Sequence, residues 1–89
     1  MISLDKNYSQ AYYNRAVSKA IMGNHKEALP DYDEAINADP KNYEAYYNRG
    51  ISRMNIQDAK GACEDFHRSL ELGYKPAEQM VNIYCPKNK

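Results

Sequence analysis

Tryptophan is absent from this 89-residue chain, phenylalanine occurs once and cysteine twice. Two cysteines are too few to define a disulfide scaffold or a redox compartment. Net charge is also missing, because 12 basic residues balance 12 acidic ones. That argues against the basic stripe expected of a nucleic-acid-binding surface, and gives no reason to expect an anionic membrane as partner. No apolar run approaches the ~20 residues needed to span a membrane. The N-terminus lacks the basic, apolar and small-residue pattern of a secretion signal. Length permits one small domain, and a compact chain of this size would bury only about 60–65% of its unfolded surface. What the chain does have is tyrosine, nine times over. Its aromatic surface is therefore carried by rings with a polar tip, able to pack and still reach water or a partner.

The dominant feature is a repetition. Ala11-Tyr12-Tyr13-Asn14-Arg15 recurs as Ala45-Tyr46-Tyr47-Asn48-Arg49, 34 residues later. The same offset pairs Ser18 with Ser52, Lys26 with Lys60, Ala28 with Ala62 and Asp31 with Asp65. Conservative pairs fill the gaps: Ala16 with Gly50, Val17 with Ile51, Lys19 with Arg53, Tyr32 with Phe66, Ile36 with Leu70. A fixed period of this length marks stacked supersecondary units.

Within each unit the apolar and small positions follow helical spacing. Ala11, Tyr12, Ala16, Val17 and Ala20 predict a helix over about 10–22, closed by Gly23-Asn24. Asn24, with Glu27 three residues on, predicts a capped second helix from His25 to Asp39-Pro40. Pro30 lies inside that helix, where it removes one backbone bond and is expected to bend the first turns. The second copy predicts helices over 44–56 and, capped by Asp58, up to Leu72 and Gly73. Gly61 in place of Glu27 makes that last start the weaker of the two. Pro76 then opens a short helix through Ala77, Met80, Val81 and Tyr84, ended by Pro86. Residues 2–8 mirror 36–42, with Lys6 where the other copy has Pro40. They read as the tail of an earlier helix and its exit loop, so the chain is expected to be a piece of something longer.

These residues resemble the tetratricopeptide repeat. Tyr12, Ala16, Ala28, Tyr32, Ala35 and Pro40 occupy that family's aromatic, small and proline positions, as do Tyr46, Gly50, Ala62, Phe66 and Ser69 in the second unit. Departures are Arg15 and Arg49 at the usual Leu, Lys19 and Arg53 at the usual Tyr, and Tyr74 at the closing Pro. The resemblance implies an all-α, right-handed solenoid of antiparallel helix pairs. Its expected division is a preceding-repeat tail over 1–8, repeats over 9–42 and 43–75, a capping helix over 76–85 and a tail over 86–89. Small residues would let the helices of a pair approach, with Tyr12, Tyr32, Tyr46 and Phe66 filling the rest.

The resemblance also implies where binding would occur. The family's concave face, carried over position by position, is Gln10, Tyr13, Asn14, Val17 and Ile21, then Glu44, Tyr47, Asn48, Ile51 and Asn55. Some members hold an extended peptide through a repeated Asn at the position of Asn14 and Asn48; an amide offers both donor and acceptor. The competing reading gives these amides to neighbouring backbone and the tyrosines to packing between repeats. A family clamp for a C-terminal carboxylate would need Lys at Tyr13 and Asn at Val17, and neither is present.

Cys63 and Cys85 lie about ten residues either side of the turn at Gly73. With a ~1.5 Å rise per residue, an antiparallel hairpin brings both thiols level. A disulfide there would contribute on the order of 3 kcal/mol; two inert thiols, or a zinc set of Cys63, His67 and Cys85 without an evident fourth ligand, are the alternatives. Neither His25 nor His67 has companions for nucleophilic or acid–base catalysis, so no enzyme, cofactor or metal is expected. The leading expectation is a protein or peptide ligand, with no nucleic acid and no membrane insertion. The alternatives are an assembly unit that self-associates through its open N-terminal edge, and a targeting segment of a longer enzyme.

Overall fold

In the computed structural model, residues 6–85 are described, and every element among them is a helix. The order is α1 (Lys6–Ile21), α2 (His25–Ala38), α3 (Tyr43–Asn55), α4 (Ala59–Glu71) and α5 (Pro76–Tyr84). Contacts are densest within the pairs α1–α2 and α3–α4. The pairs meet mainly through α2 and α3, while α5 lies against α4. Short connections between contacting helices make each pair an antiparallel hairpin, so the predicted all-α repeat architecture is present.

The start of α1 departs from expectation. Residues 6–8 belong to the helix and do not form an exit loop before Gln10. Lys6 explains this: it stands where the second copy has Pro40, and without that proline the backbone has no reason to leave the α region. Residues 2–5 and Pro86, read above as an upstream tail and a helix stop, lie outside the described residues.

The caps are also reversed. Asn24 is the N-cap of α2 but makes no side-chain capping bond. The side chain of Asp58 accepts from the Gly61 N–H at 3.0 Å, and that of Asn42 from the Ala45 N–H at 3.1 Å. The helix that appeared to start weakly is therefore the one with a satisfied first turn. Pro30 is inside α2, which continues to Ala38. Gly23 and Gly73 take positive φ (87° and 102°) after α1 and α4. Gln57 occupies the corresponding turn after α3 at φ 69°, a conformation that costs a residue with a Cβ about 1–2 kcal/mol.

Small side chains set the packing distance. Ala16, Ala28, Ala35 and Ala45 are fully buried and cluster with Tyr32; Ala62, Phe66 and Ala77 are fully buried as well. At Gly50 an added Cβ would lie 2.7 Å from the Phe66 ring. The small position of the first helix thus sets how closely its partner's aromatic ring can lie.

Candidate functional site

Arg15 and Arg49, the departures from the usual Leu, each find an aspartate one helix away. Arg15 donates to both carboxylate oxygens of Asp31, at 2.9 and 2.8 Å; Arg49 does the same to Asp65, at 3.0 and 2.8 Å. Lys19 adds a contact to Asp31 at 3.0 Å, and Arg53 one to Asp65 at 3.1 Å. Each unit therefore repeats a two-cation clamp on a buried carboxylate. The guanidinium groups also lie over Tyr12 and Tyr46, 5.4 and 5.5 Å from the ring centres. Hydrogen bonding from Arg15 holds the Asp31 carboxyl below its ordinary value, against the opposing effect of burial. These clamps join the two helices of a repeat. The signal was in the sequence: Arg15/Arg49, Lys19/Arg53 and Asp31/Asp65 share the 34-residue period. Only the fold shows that they meet.

A second set of polar contacts crosses between the repeats. Arg49 also pairs with Asp33 at 2.7 Å. His25 Nδ1 lies 3.0 Å from the Ser52 hydroxyl. Within the first repeat, Ser9 donates to the Ala35 carbonyl at 2.6 Å and accepts at 3.0 Å from the amide of Asn42, the residue that caps α3. Among the described residues, no buried side-chain polar atom lacks a partner. The seam is therefore fixed by directional bonds as well as by alanines, which suits repeats too small to have much core.

The ten residues assigned to the inner face divide by environment. On α1, Gln10, Asn14 and Ile21 are exposed, while Tyr13 and Val17 are half-buried. On α3, Glu44 and Asn55 are exposed, and Tyr47, Asn48 and Ile51 half-buried. Gln10 donates to the Asn14 side-chain oxygen at 3.2 Å. Asn48 donates to the Tyr13 hydroxyl at 2.9 Å and to the Glu44 carbonyl at 3.1 Å. Asn55 donates to the Ile51 carbonyl at 2.9 Å. Tyr13 is 6.3 Å from the Tyr32 ring; Tyr47 lies 5.8 Å from Phe66 and 5.0 Å from Tyr74. Burial raises the phenol pKa of both Tyr13 and Tyr47. Packing between elements thus accounts for part of what these tyrosines do. At one end, Gln10 and Glu44 border a cleft of about 300 Å³ with Ser9, Lys41 and Asn42.

The two equivalent amides are not in equivalent states. Asn14, an exposed residue, accepts at its side-chain oxygen, whereas Asn48 donates from its amide nitrogen to two acceptors; among the described residues the Asn14 amide nitrogen and the Asn48 side-chain oxygen have no hydrogen-bond partner. Between them they present donors and an acceptor at the same register of adjacent helices. Among the described residues, no acid–base or nucleophilic set accompanies them.

Cys63 and Cys85 are joined, with their Cα atoms 5.2 Å apart, and so tie α4 to the end of α5. His67 is exposed beside them.

A family model described as the tetratricopeptide repeat matches residues 9–42. The match begins at buried Ser9 in α1 and closes at Asn42, the N-cap of α3. No curated protein matches the chain.

Proposed function

We propose that this chain, which carries a tetratricopeptide repeat over residues 9–42, of a kind that generally mediates protein–protein interactions, holds an extended peptide or protein segment against α1 and α3. The observation that carries this reading is the pair Asn14 and Asn48. An extended backbone offers alternating carbonyl acceptors and N–H donors, and the free donors of Asn14 and the free acceptor of Asn48 complement both. Tyr13, Val17, Tyr47 and Ile51 supply the partly exposed apolar surface between them. Glu44 is the one charged residue among the ten, so recognition would rest on backbone bonding and apolar contact. Selection of a displayed random-peptide library against the 89-residue chain tests it. Asn14→Ala is the informative variant, because Asn14 is exposed and, among the described residues, its side chain bonds only to Gln10 one turn away. Selected peptides should lose about tenfold in affinity, the ~1.4 kcal/mol of one to two polar contacts. Peptides that bind Asn14→Ala as tightly as the parent chain would remove the amides from recognition.

A second reading, an assembly unit, is favoured by one comparison. Ala45 is fully buried beneath the preceding pair, whereas its equivalent Ala11 is exposed at the N-terminal edge. That edge is the surface which, in the other copy, another repeat covers. Sedimentation at high concentration distinguishes the two: Ala11→Arg should abolish any dimer formed through this edge, and a monomer at all concentrations would discard the assembly.

A further inference from the structure

We propose that Cys63, His67 and Cys85 form a redox-gated site for a soft divalent metal ion, zinc above all, once the disulfide between the cysteines is reduced. The two sulfur atoms and the imidazole nitrogen lie within 4.8 Å of one another. Cys63 and His67 are one turn apart on α4 and so project from the same helix face. Cys85 is the C-cap of α5, its backbone N–H bonded to the Val81 carbonyl, and its side chain reaches back to that face from the second helix. The three residues line an open cavity of about 470 Å³, together with Lys60, Glu64 and Tyr84.

The donor set fits the metal. Two thiolates and one imidazole are an established zinc combination that leaves a fourth position for water or an incoming group. With Zn–S near 2.3 Å and Zn–N near 2.0–2.1 Å, tetrahedral ligand atoms stand roughly 3.5–3.8 Å apart. With the two Cα atoms 5.2 Å apart and all three ligand atoms within 4.8 Å, reduction would let side-chain rotation bring the donors toward such spacing. Two thiolates cancel the 2+ charge of the ion, and the flanking Lys60 and Glu64 offset each other.

The gate follows from the chemistry. A dithiol reductant supplies two electrons and two protons, opening the S–S bond to two thiols while itself closing to a disulfide. The metal then displaces both thiol protons to solvent and binds the thiolates. The oxidised form has no thiolate to offer and leaves His67 alone. In either state a crosslink holds α5 on α4, through sulfur–sulfur bonding in one and through the ion in the other. This site is independent of the surface of α1 and α3.

Cobalt(II) serves as the spectroscopic probe on the 89-residue chain, reduced with a phosphine or oxidised in air. The reduced chain should bind one equivalent, show thiolate-to-cobalt absorption and lose that absorption when zinc is added; the oxidised chain should show none. His67→Ala should weaken binding at least tenfold, since losing even a supporting partner of a ligand costs about 10–100-fold. His67 is exposed, so the variant keeps its fold, which circular dichroism checks in the same samples. Absence of thiolate absorption in the reduced chain, equal binding by the oxidised chain, or unchanged binding by His67→Ala would each overturn the site. So would a reduced chain that loses helicity and does not regain it with the metal.

Discussion

Asn48 donates a 2.9 Å hydrogen bond to the Tyr13 hydroxyl, joining the first helix of one repeat to the first helix of the next. The bond ties a candidate recognition residue to the geometry of the seam. A ligand contacting Asn48 would therefore meet an amide already oriented by the neighbouring repeat, at little further cost in side-chain entropy.

Tyr13→Phe removes this acceptor while keeping the ring. It should cost about 1 kcal/mol of stability. In a double-mutant cycle with Asn48→Ala, the coupling should come to about 0.5–1 kcal/mol, measured by urea unfolding. Strict additivity would mean that the bond does not form in solution.

The two clamps should differ in strength. Asp65 is held by Arg49, whose side chain is 16% exposed, whereas the corresponding Arg15 is 60% exposed. Asp65→Ala takes the shared buried carboxylate from two partly buried cations and is expected to cost about 3 kcal/mol. Among the described residues it leaves Arg49 only the exposed Asp33, and Arg53 only Asp58, as carboxylate partners. Asp31→Ala, with its arginine already in water, should cost about 1–2 kcal/mol. Chemical denaturation of both variants gives the comparison, and equal losses would contradict it.

Gly50→Ala sets two effects against each other. Helix propensity favours alanine by about 1 kcal/mol. The new methyl would meet the fully buried Phe66 ring at 2.7 Å, and overpacking of that kind costs about 1–3 kcal/mol. Net destabilisation of about 1 kcal/mol is expected. A higher melting temperature for the variant would show that the ring has room to move.

Gln57→Gly should move stability the other way. Gln57 sits at φ 69°, the turn position that Gly23 fills in the first copy. Relief of the left-handed strain exceeds the added freedom of the unfolded chain, so a gain of about 0.5–1 kcal/mol is expected in thermal melts.

Tyr32 gives the chain an alkaline limit. Burial raises its phenol from 10.0 to about 12. A group whose folded-state pKa is raised contributes stability that is intact below its unfolded value and disappears as pH climbs through the folded one. Stability should therefore fall between about pH 10 and 12. Tyr32→Phe, which has no proton to lose there, should show a smaller fall; parallel curves for the two proteins would exclude this origin.

The sequence alone determined the repeat. A 34-residue period carrying small residues, aromatics and turn residues at matching places is enough to dictate helical hairpins, because propensity, spacing and caps are local properties. It also brought Cys63 and Cys85 level on either side of one turn, since an antiparallel hairpin measures distance by counting residues. Other matters were decided only by tertiary structure. That Arg15 and Arg49 leave the apolar contact and clamp Asp31 and Asp65 depends on helix rotation within a pair, which the period does not encode. That Asn14 and Asn48, identical in local sequence, keep opposite halves of their amides free depends on which neighbour each one has. Identical residues diverge here because Asn48 donates to Tyr13 on the first helix of the other repeat, and a contact between repeats belongs to neither repeat alone.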